Sequence, residues 1–260
     1  MIKTFKTFDG LWLRGFLLLC FIFLTSAQAG NKIQIYGPGG PFPPMNEAAK
    51  MFSQKYGVDV VVTKGPVERW IKRARKNADL IYSGAEFMMR NFVWLMEGKI
   101  DEATIKPLYL RPSGILVRKG NPKHIRGFED LLKPGIKIMV VNGAGQLGLW
   151  EDMAAKQGKI ETLRAFKKNI VYFARNSAEA KNKWLSDPEI DAWLIWNIWQ
   201  VSNPEIADFV PVSKKYVIYR DCGVALTFKG EKNPLARKFY EFLSSKEAAK
   251  IFRKWGWITQ

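Results

Sequence analysis

The chain has 260 residues, with 41 Lys or Arg against 24 Asp or Glu, a formal net charge of +17, one His and two Cys. That length suffices for one large domain or two lobes with ample core, whereas one His and two Cys are too few for a usual zinc site. The basic excess admits nucleic acid, an anionic surface or an acidic ligand as partner, but the basic residues are spread along the chain and not interleaved with aromatics in one block.

Residues 1–29 have the form of a secretory signal. Lys3, Lys6 and Arg14 make a basic start, Phe16 to Leu24 is apolar throughout, and Ala27-Gln28-Ala29 has the small-x-small form cut by signal peptidase. The apolar run is well short of the roughly 20 residues of a membrane span, and Leu17-Leu18-Leu19-Cys20 lacks the small residues of a lipoprotein box. The expectation is a cleaved leader, a periplasmic location, no membrane insertion, and no nucleic-acid partner in that compartment. Cutting 29 of 260 residues leaves 231 and removes three basic and one acidic residue, so the charge falls from +17 to +15. Cys222 is then the single cysteine, so no intramolecular disulfide forms. Its apolar setting, Cys222-Gly223-Val224-Ala225-Leu226, reads as a buried, inert thiol.

Strands and helices alternate through the rest. Ile33–Tyr36 reads as a strand, Gly37-Pro38-Gly39-Gly40-Pro41 as a loop, and Met45–Tyr56 as a helix with Met45, Ala48, Ala49, Phe52 and Tyr56 at helical spacing. Val58–Val62 is a strand. Gly65-Pro66 opens a helix with Val67, Trp70, Ile71 and Ala74 on one face. Asp79–Tyr82 is a strand ending in Ser83-Gly84, and Phe87–Met96 is helical. Leu108–Ser113 reads as an extended crossing, followed by a strand over Gly114–Arg118. Ile136–Val141 is a strand leading into Asn142-Gly143-Ala144-Gly145, then a helix over Leu147–Gln157. Asn169–Phe173 is a strand, and Asn176 with Glu179 makes a capping box for a helix to Leu185. Asp191–Trp196 is a buried strand. Tyr216–Tyr219 and Val224–Phe228 are strands joined by Arg220-Asp221, and helices over Asn233–Leu243 and Ser245–Lys254 close the chain. This rhythm predicts an α/β fold with parallel sheet flanked by helices, and the two extended crossings predict two lobes: residues 30–111 with 222–260, and residues 112–221.

Ligands of open parallel sheets bind beyond the carboxyl ends of the strands. The loops carrying Gly39 and Gly40, Pro66, Ser83 and Gly84, Gly143, Gly145 and Gln146, and Asn176 and Ser177 are therefore the candidate ligand-binding elements. Glycine loops leave backbone N–H groups bare at helix N-termini, where the dipole also favours negative charge. Read alone, Gly37–Pro41 is equally a turn; the second glycine loop and the Ser83 hydroxyl favour an anion site made by both lobes. Arg111, on the first crossing, is the candidate cation, able to grip a carboxylate or phosphate through two parallel hydrogen bonds, with a hinge salt bridge as the alternative. Arg220 on the second crossing is the same case. Trp196, at a strand's carboxyl end, either lines the cleft or packs in the core. Catalytic inventory is sparse: no G-x-S-x-G, no phosphate-binding G-x-x-x-x-G-K-[ST], and no complete G-x-G-x-x-G. His124 sits in a turn, and the neighbouring acids Glu151-Asp152 face apart on a helix. No enzyme activity, cofactor or metal is expected.

Five strings, Tyr36–Pro41, Ala78–Gly84, Gly143-Ala144-Gly145 with Trp150-Glu151-Asp152-Met153, Asp191-Ala192-Trp193 and Lys254-Trp255-Gly256-Trp257, together resemble the AcfC-type accessory colonization factors. The resemblance runs in order over nearly the whole mature chain. It implies a periplasmic solute-binding protein of the molybdate/sulfate type, with the two-lobed type II fold and a hinge of two crossing strands. It also implies a small anionic ligand, a tetrahedral oxyanion or a phosphorylated or carboxylated metabolite. The implied partner is an ABC transporter or a chemoreceptor, and homodimer formation is left open. Relatives include glycosylated surface antigens whose cleft accepts small acids such as citrate or phosphoglycerate. This chain departs from them in its short Gln146-Leu147-Gly148-Leu149 segment and in having no N-x-[ST] sequon. The alternative function is a secreted adhesin binding anionic host glycans.

Overall fold

The computed structural model describes Met1 and residues 32–259; apart from Met1, the leader over residues 1–29 lies outside the described residues. Strand β1 (Lys32–Gly37) is followed by α1 (Phe42–Tyr56), β2 (Asp59–Lys64), α2 (Ile71–Asn77), β3 (Leu80–Tyr82) and α3 (Glu86–Leu95). Helix α1 starts ahead of its apolar pattern because Pro43 and Pro44 occupy its first turn, where a missing N–H costs nothing. It stops at Gly57, whose left-handed φ of 64° lets its N–H return to the Ser53 carbonyl. The helix expected from Gly65-Pro66 comes in two pieces, a 3₁₀ turn over Val67–Arg69 and then α2. Between them, buried Trp70 donates its indole N–H to the Gly65 carbonyl at 3.0 Å.

The long strand β4 (Lys106–Val117) leads to β5 (Ile138–Val141), α4 (Leu149–Ala155), α5 (Ile160–Lys168), β6 (Ile170–Ala174), α6 (Ser177–Ser186), β7 (Ala192–Trp196), α7 (Ile198–Ser202), β8 (Asp208–Pro211) and β9 (Tyr219–Leu226). Helices α8 (Phe228–Glu231), α9 (Pro234–Phe242) and α10 (Lys246–Lys254) end the order. The strands run β2-β1-β3-β9-β4-β7-β5-β6, with β8 also on β4. Strands β2, β1 and β3 are mutually parallel, as are β6, β5 and β7, while β9 runs antiparallel to β3 and β4.

Strand β4 is the element shared by the two halves. Residues from Lys106 to Pro112 pair with β9, whereas Ser113 to Val117 pair with β7 and β8. The expected break into a crossing and a separate strand is absent, because Pro112, with no N–H to donate, falls where β4 changes partners. Its carbonyl instead accepts from the Asn197 N–H at 3.1 Å. Likewise β9 runs unbroken through Arg220-Asp221, while residues 216–218 are not strand.

Both faces of the first parallel set are buried, as expected where helices cover both sides. Ile33 and Ile35 point to a cluster with Met45, Phe52 and Leu80, whereas Tyr36 and Ile81 point to Trp70, Met89 and Phe92. The terminal helices return to the first half: Phe52 meets Phe239 edge-on at 5.0 Å. In the second half, Phe128 stacks between Phe166 and Tyr216 at centroid distances of 5.2 and 4.3 Å. Helix α5 was not expected; its surface is polar, and Phe166 is its one fully buried anchor. Helix α4 starts at Leu149 and not Leu147, because Gly148 takes a left-handed φ of 73°. Only half of the expected capping box forms. The Asn176 carboxamide accepts the Glu179 N–H at 3.0 Å, but the Glu179 carboxylate turns to Arg175 and the Tyr172 hydroxyl.

Candidate functional site

The site is built around Arg111, which β4 carries just before Pro112 where the strand changes partners. The residue is 2% exposed. The guanidinium lies 4.8 Å from the Trp196 ring and 5.1 Å from the Trp257 ring, contacts that stabilise a desolvated cation. Trp196 ends β7, and its indole N–H donates to the Gly145 carbonyl at 3.2 Å. Trp257 arrives with the C-terminal tail. Ile258 exchanges backbone hydrogen bonds with Leu110, and Asn197 donates to the Gly256 carbonyl at 2.6 Å.

Three glycines close on the guanidinium, one from each of the β1–α1, β3–α3 and β5–α4 loops. A Cβ on Gly40 would lie 2.8 Å from Nη1, one on Gly84 2.8 Å from Nη2, and one on Gly145 3.1 Å from Nη2. A side chain at Gly40 or Gly84 would push the guanidinium aside and one at Gly145 would crowd it, so the glycines serve close approach. Among the described residues the guanidinium makes one hydrogen bond, Nη2 to the Gly84 carbonyl at 2.6 Å, and no carboxylate reaches salt-bridge distance. Arg111 Nε, Ser83 Oγ and Gln146 Oε1 are buried without partners. Burial pulls the Arg111 pKa down to about 9, still cationic at neutral pH. A lone buried cation is costly, and a bound anion would offset that cost.

Gly40, Gly84, Arg111, Gly145 and Trp196 come together at one point, and Gln146 joins Ser177 through an Nε2 to Oγ hydrogen bond of 3.0 Å. The remaining candidates separate from them. Gly39 is exposed, with nothing near its Cβ position. Gly143 packs against the Arg175 carbonyl. Arg220 is held in an ion pair by Asp152 of α4. Asn176 caps α6 and, with Pro66, lines a neighbouring cavity of about 480 Å³. Sequence reasoning assigned no role to Trp257, although its tryptophan-rich string was visible. It also missed Asp221, because only the strand pairing reveals which faces of β9 are buried.

Asp221 is 8% exposed and its Oδ2 has no partner. It borders Gly223 together with the Ser83 hydroxyl: a Cβ on Gly223 would lie 2.9 Å from Ser83 Oγ and 3.0 Å from Asp221 Oδ2. Burial, then the Glu86 carboxylate, raises its pKa above the ordinary value. The folded chain therefore holds this proton more tightly than the unfolded chain. The associated stability is complete below the unfolded aspartate value of roughly 3.9 and is lost as pH rises through the higher folded value. Asp221→Asn is expected to raise the melting temperature at pH 7 and to change it little at pH 4. A lower melting temperature at pH 7 would show that the carboxylate is needed ionised. Burial also pushes the Cys222 thiol far above its usual range. Among the described residues, no group of three or more His, Cys, Asp or Glu could hold a metal ion, and no helix is long and apolar enough to cross a membrane.

A family model described as bacterial extracellular solute-binding protein matches residues 33–258. PEB3 from Campylobacter jejuni is similar at 35% identity and a TM-score of 0.81, over 88% of this chain and 100% of that one. A structure described as L-phospholactate-bound PEB3 gives 36% identity with the same TM-score and coverage. The sulfate-binding protein SubI from Mycobacterium tuberculosis H37Rv is similar in fold, with a TM-score of 0.74 at 19% identity over 87% of this chain and 86% of that one. The sulfate-binding protein of Escherichia coli (strain K12) is 30% identical over 117 residues, a match spanning 38% of this chain and only 36% of that relative.

Proposed function

Since the chain belongs to the bacterial extracellular solute-binding proteins, we propose that it is a periplasmic receptor that closes on a small anion held by Arg111. The fold is the two-lobed type II periplasmic binding protein fold, hinged on β4 and β9. Within it we assign residues 30–111 and 222–260 to one lobe and residues 112–221 to the other. The observation that carries the reading is the buried guanidinium of Arg111, without a carboxylate partner among the described residues, enclosed by Gly40, Gly84 and Gly145. A planar fork that is cationic at neutral pH suits a carboxylate or a tetrahedral oxyanion, and Ser83 and Gln146 supply further polar atoms. The similar proteins described as sulfate-binding and as L-phospholactate-bound support an anionic ligand class.

In this reading Gly143 shapes its loop, Gly39 has no role, and Arg220 steadies the second crossing through Asp152. Asn176 and Ser177 order the loop before α6. The closed form delivers the ligand to an ABC transporter, as the description of the molybdenum transporter's binding domain suggests, and the chain sits in the accessory colonization factor branch. No bond is made or broken in this cycle.

Thermal denaturation against sulfate, molybdate, phosphoglycerate and citrate tests the reading. Binding to the folded state alone raises stability by about 2.7 kcal/mol at a hundredfold excess over Kd, so at least one anion is expected to raise the melting temperature. No shift with any of them at millimolar concentration, paired with salt-sensitive retention on an anionic glycan, would favour an adhesin instead.

A further inference from the structure

Resting on the assignment of Arg111 to the anion, we infer that the ligand carries an apolar body beside its anionic head: an aryl or branched aliphatic phosphate, sulfate or carboxylate. The cavity of about 480 Å³ lies between α3 and the β5–α4 loop, with its far side closed by residues 65–68. That volume falls in the roughly 300–1,000 Å³ range of organic-ligand pockets. Its wall is mostly apolar: Phe87, Met88, Phe92, Trp94 and Leu95 from α3, with Leu147 facing them from the second half. Charge enters only at Glu68 and at Arg175, whose guanidinium is paired with Glu179.

Two features tie this cavity to the anion site. Met88 belongs to both: the Cβ position of Gly145 lies 3.6 Å from the Met88 methyl and 3.1 Å from Arg111 Nη2. The single side-chain position at Gly145 therefore separates the cavity wall at Met88 from the guanidinium. Second, large apolar side chains stand in water around this space, Trp94 at 69% and Leu147 at 51% exposure. Exposed apolar groups gathered at a concave site mark a binding surface. Leu147 is free to do this because the left-handed Gly148 keeps it out of α4. An inorganic oxyanion on Arg111 would touch none of these groups, whereas a ring or branched chain attached to the anion would cover them.

Titration calorimetry on the mature chain with matched pairs decides the matter: inorganic phosphate against phenyl phosphate, sulfate against phenyl sulfate, and acetate against phenylacetate. For whichever head binds, the phenyl partner is expected to bind about ten- to a hundredfold more tightly, the gain from burying one aromatic ring. Leu147→Asp and Trp94→Ser, both at exposed positions, are expected to bring that ratio close to one. Equal affinity within a pair, or binding of the small anion only, overturns the apolar body while leaving Arg111 as the anion's cation. Failure of all six compounds overturns both. A phenyl advantage that survives both substitutions would place the body elsewhere and overturn the assignment to this cavity.

Discussion

Arg111→Met is expected to abolish anion binding and leave the protein as stable as before, or more so. The binding loss follows from chemistry. Hydrogen bonds to a charged group contribute about 1.5–3 kcal/mol each, so losing a two-point grip weakens binding by about a hundredfold or more. The stability outcome follows from burial. Arg111 is 2% exposed and lacks a carboxylate partner among the described residues, and apolar replacement of buried charge is often neutral or stabilising. Methionine fills much of the space between Trp196 and Trp257, at the cost of the hydrogen bond to the Gly84 carbonyl. Calorimetry and thermal denaturation on the same preparation check both halves. Wild-type affinity in the variant would remove Arg111 from the site. Arg111→Lys guards against a folding failure: it keeps the charge but not the fork, and is expected to bind with intermediate affinity.

Gly143→Ala is expected to be the most damaging one-atom change in the glycine loops. Its φ is −179°, extended backbone that any residue adopts, so strain plays no part. The obstacle is the Arg175 carbonyl oxygen, 2.2 Å from the position a Cβ would take. Backbone cannot rotate away as a side chain can, and the loops are pinned together by the Asn142 N–H to the Ala174 carbonyl at 2.8 Å. Overpacking of this kind costs about 1–3 kcal/mol or more, roughly 2–10 °C in melting temperature for a domain this size. Because the same loops supply Gly145, Gln146 and Ser177, anion affinity is expected to fall with stability. Gly39→Ala is the control: nothing lies within 4 Å of its Cβ position, so neither quantity is expected to move. A Gly143→Ala protein with wild-type melting temperature and affinity would mean the two loops separate freely.

Much of the architecture was legible in the chain because it is written in local signals. Alternating short apolar runs and helical faces, with glycine loops between them, specify parallel strands and flanking helices, and Ile33, Met45 and Phe52 fall where that pattern puts them. Legibility failed where local rules yield to packing. Pro112 reads as a strand break but marks a change of partner within β4. Helix α5 has too narrow an apolar face to announce itself, yet Phe166 stacking on Phe128 holds it. Within the site, Arg111 was legible as a candidate from its place on a crossing, whereas Arg220, equally placed, is held by Asp152.

The alternation of strands and helices, the glycine loops at the carboxyl ends of the strands, and a cation on the strand that crosses between lobes are all readable from the residues alone. All of these follow from residue type and spacing within a few turns of chain. Which glycines approach the guanidinium is set by long-range packing. Gly40, Gly84 and Gly145 belong together because three loops, distant in sequence, meet on one guanidinium. Gly143 belongs to a different contact altogether. The tertiary structure also set Trp257 beside Arg111, because the C-terminal tail pairs with β4 more than a hundred residues earlier in the chain. Such juxtapositions depend on long-range pairing, which leaves no mark on the periodicity of either partner.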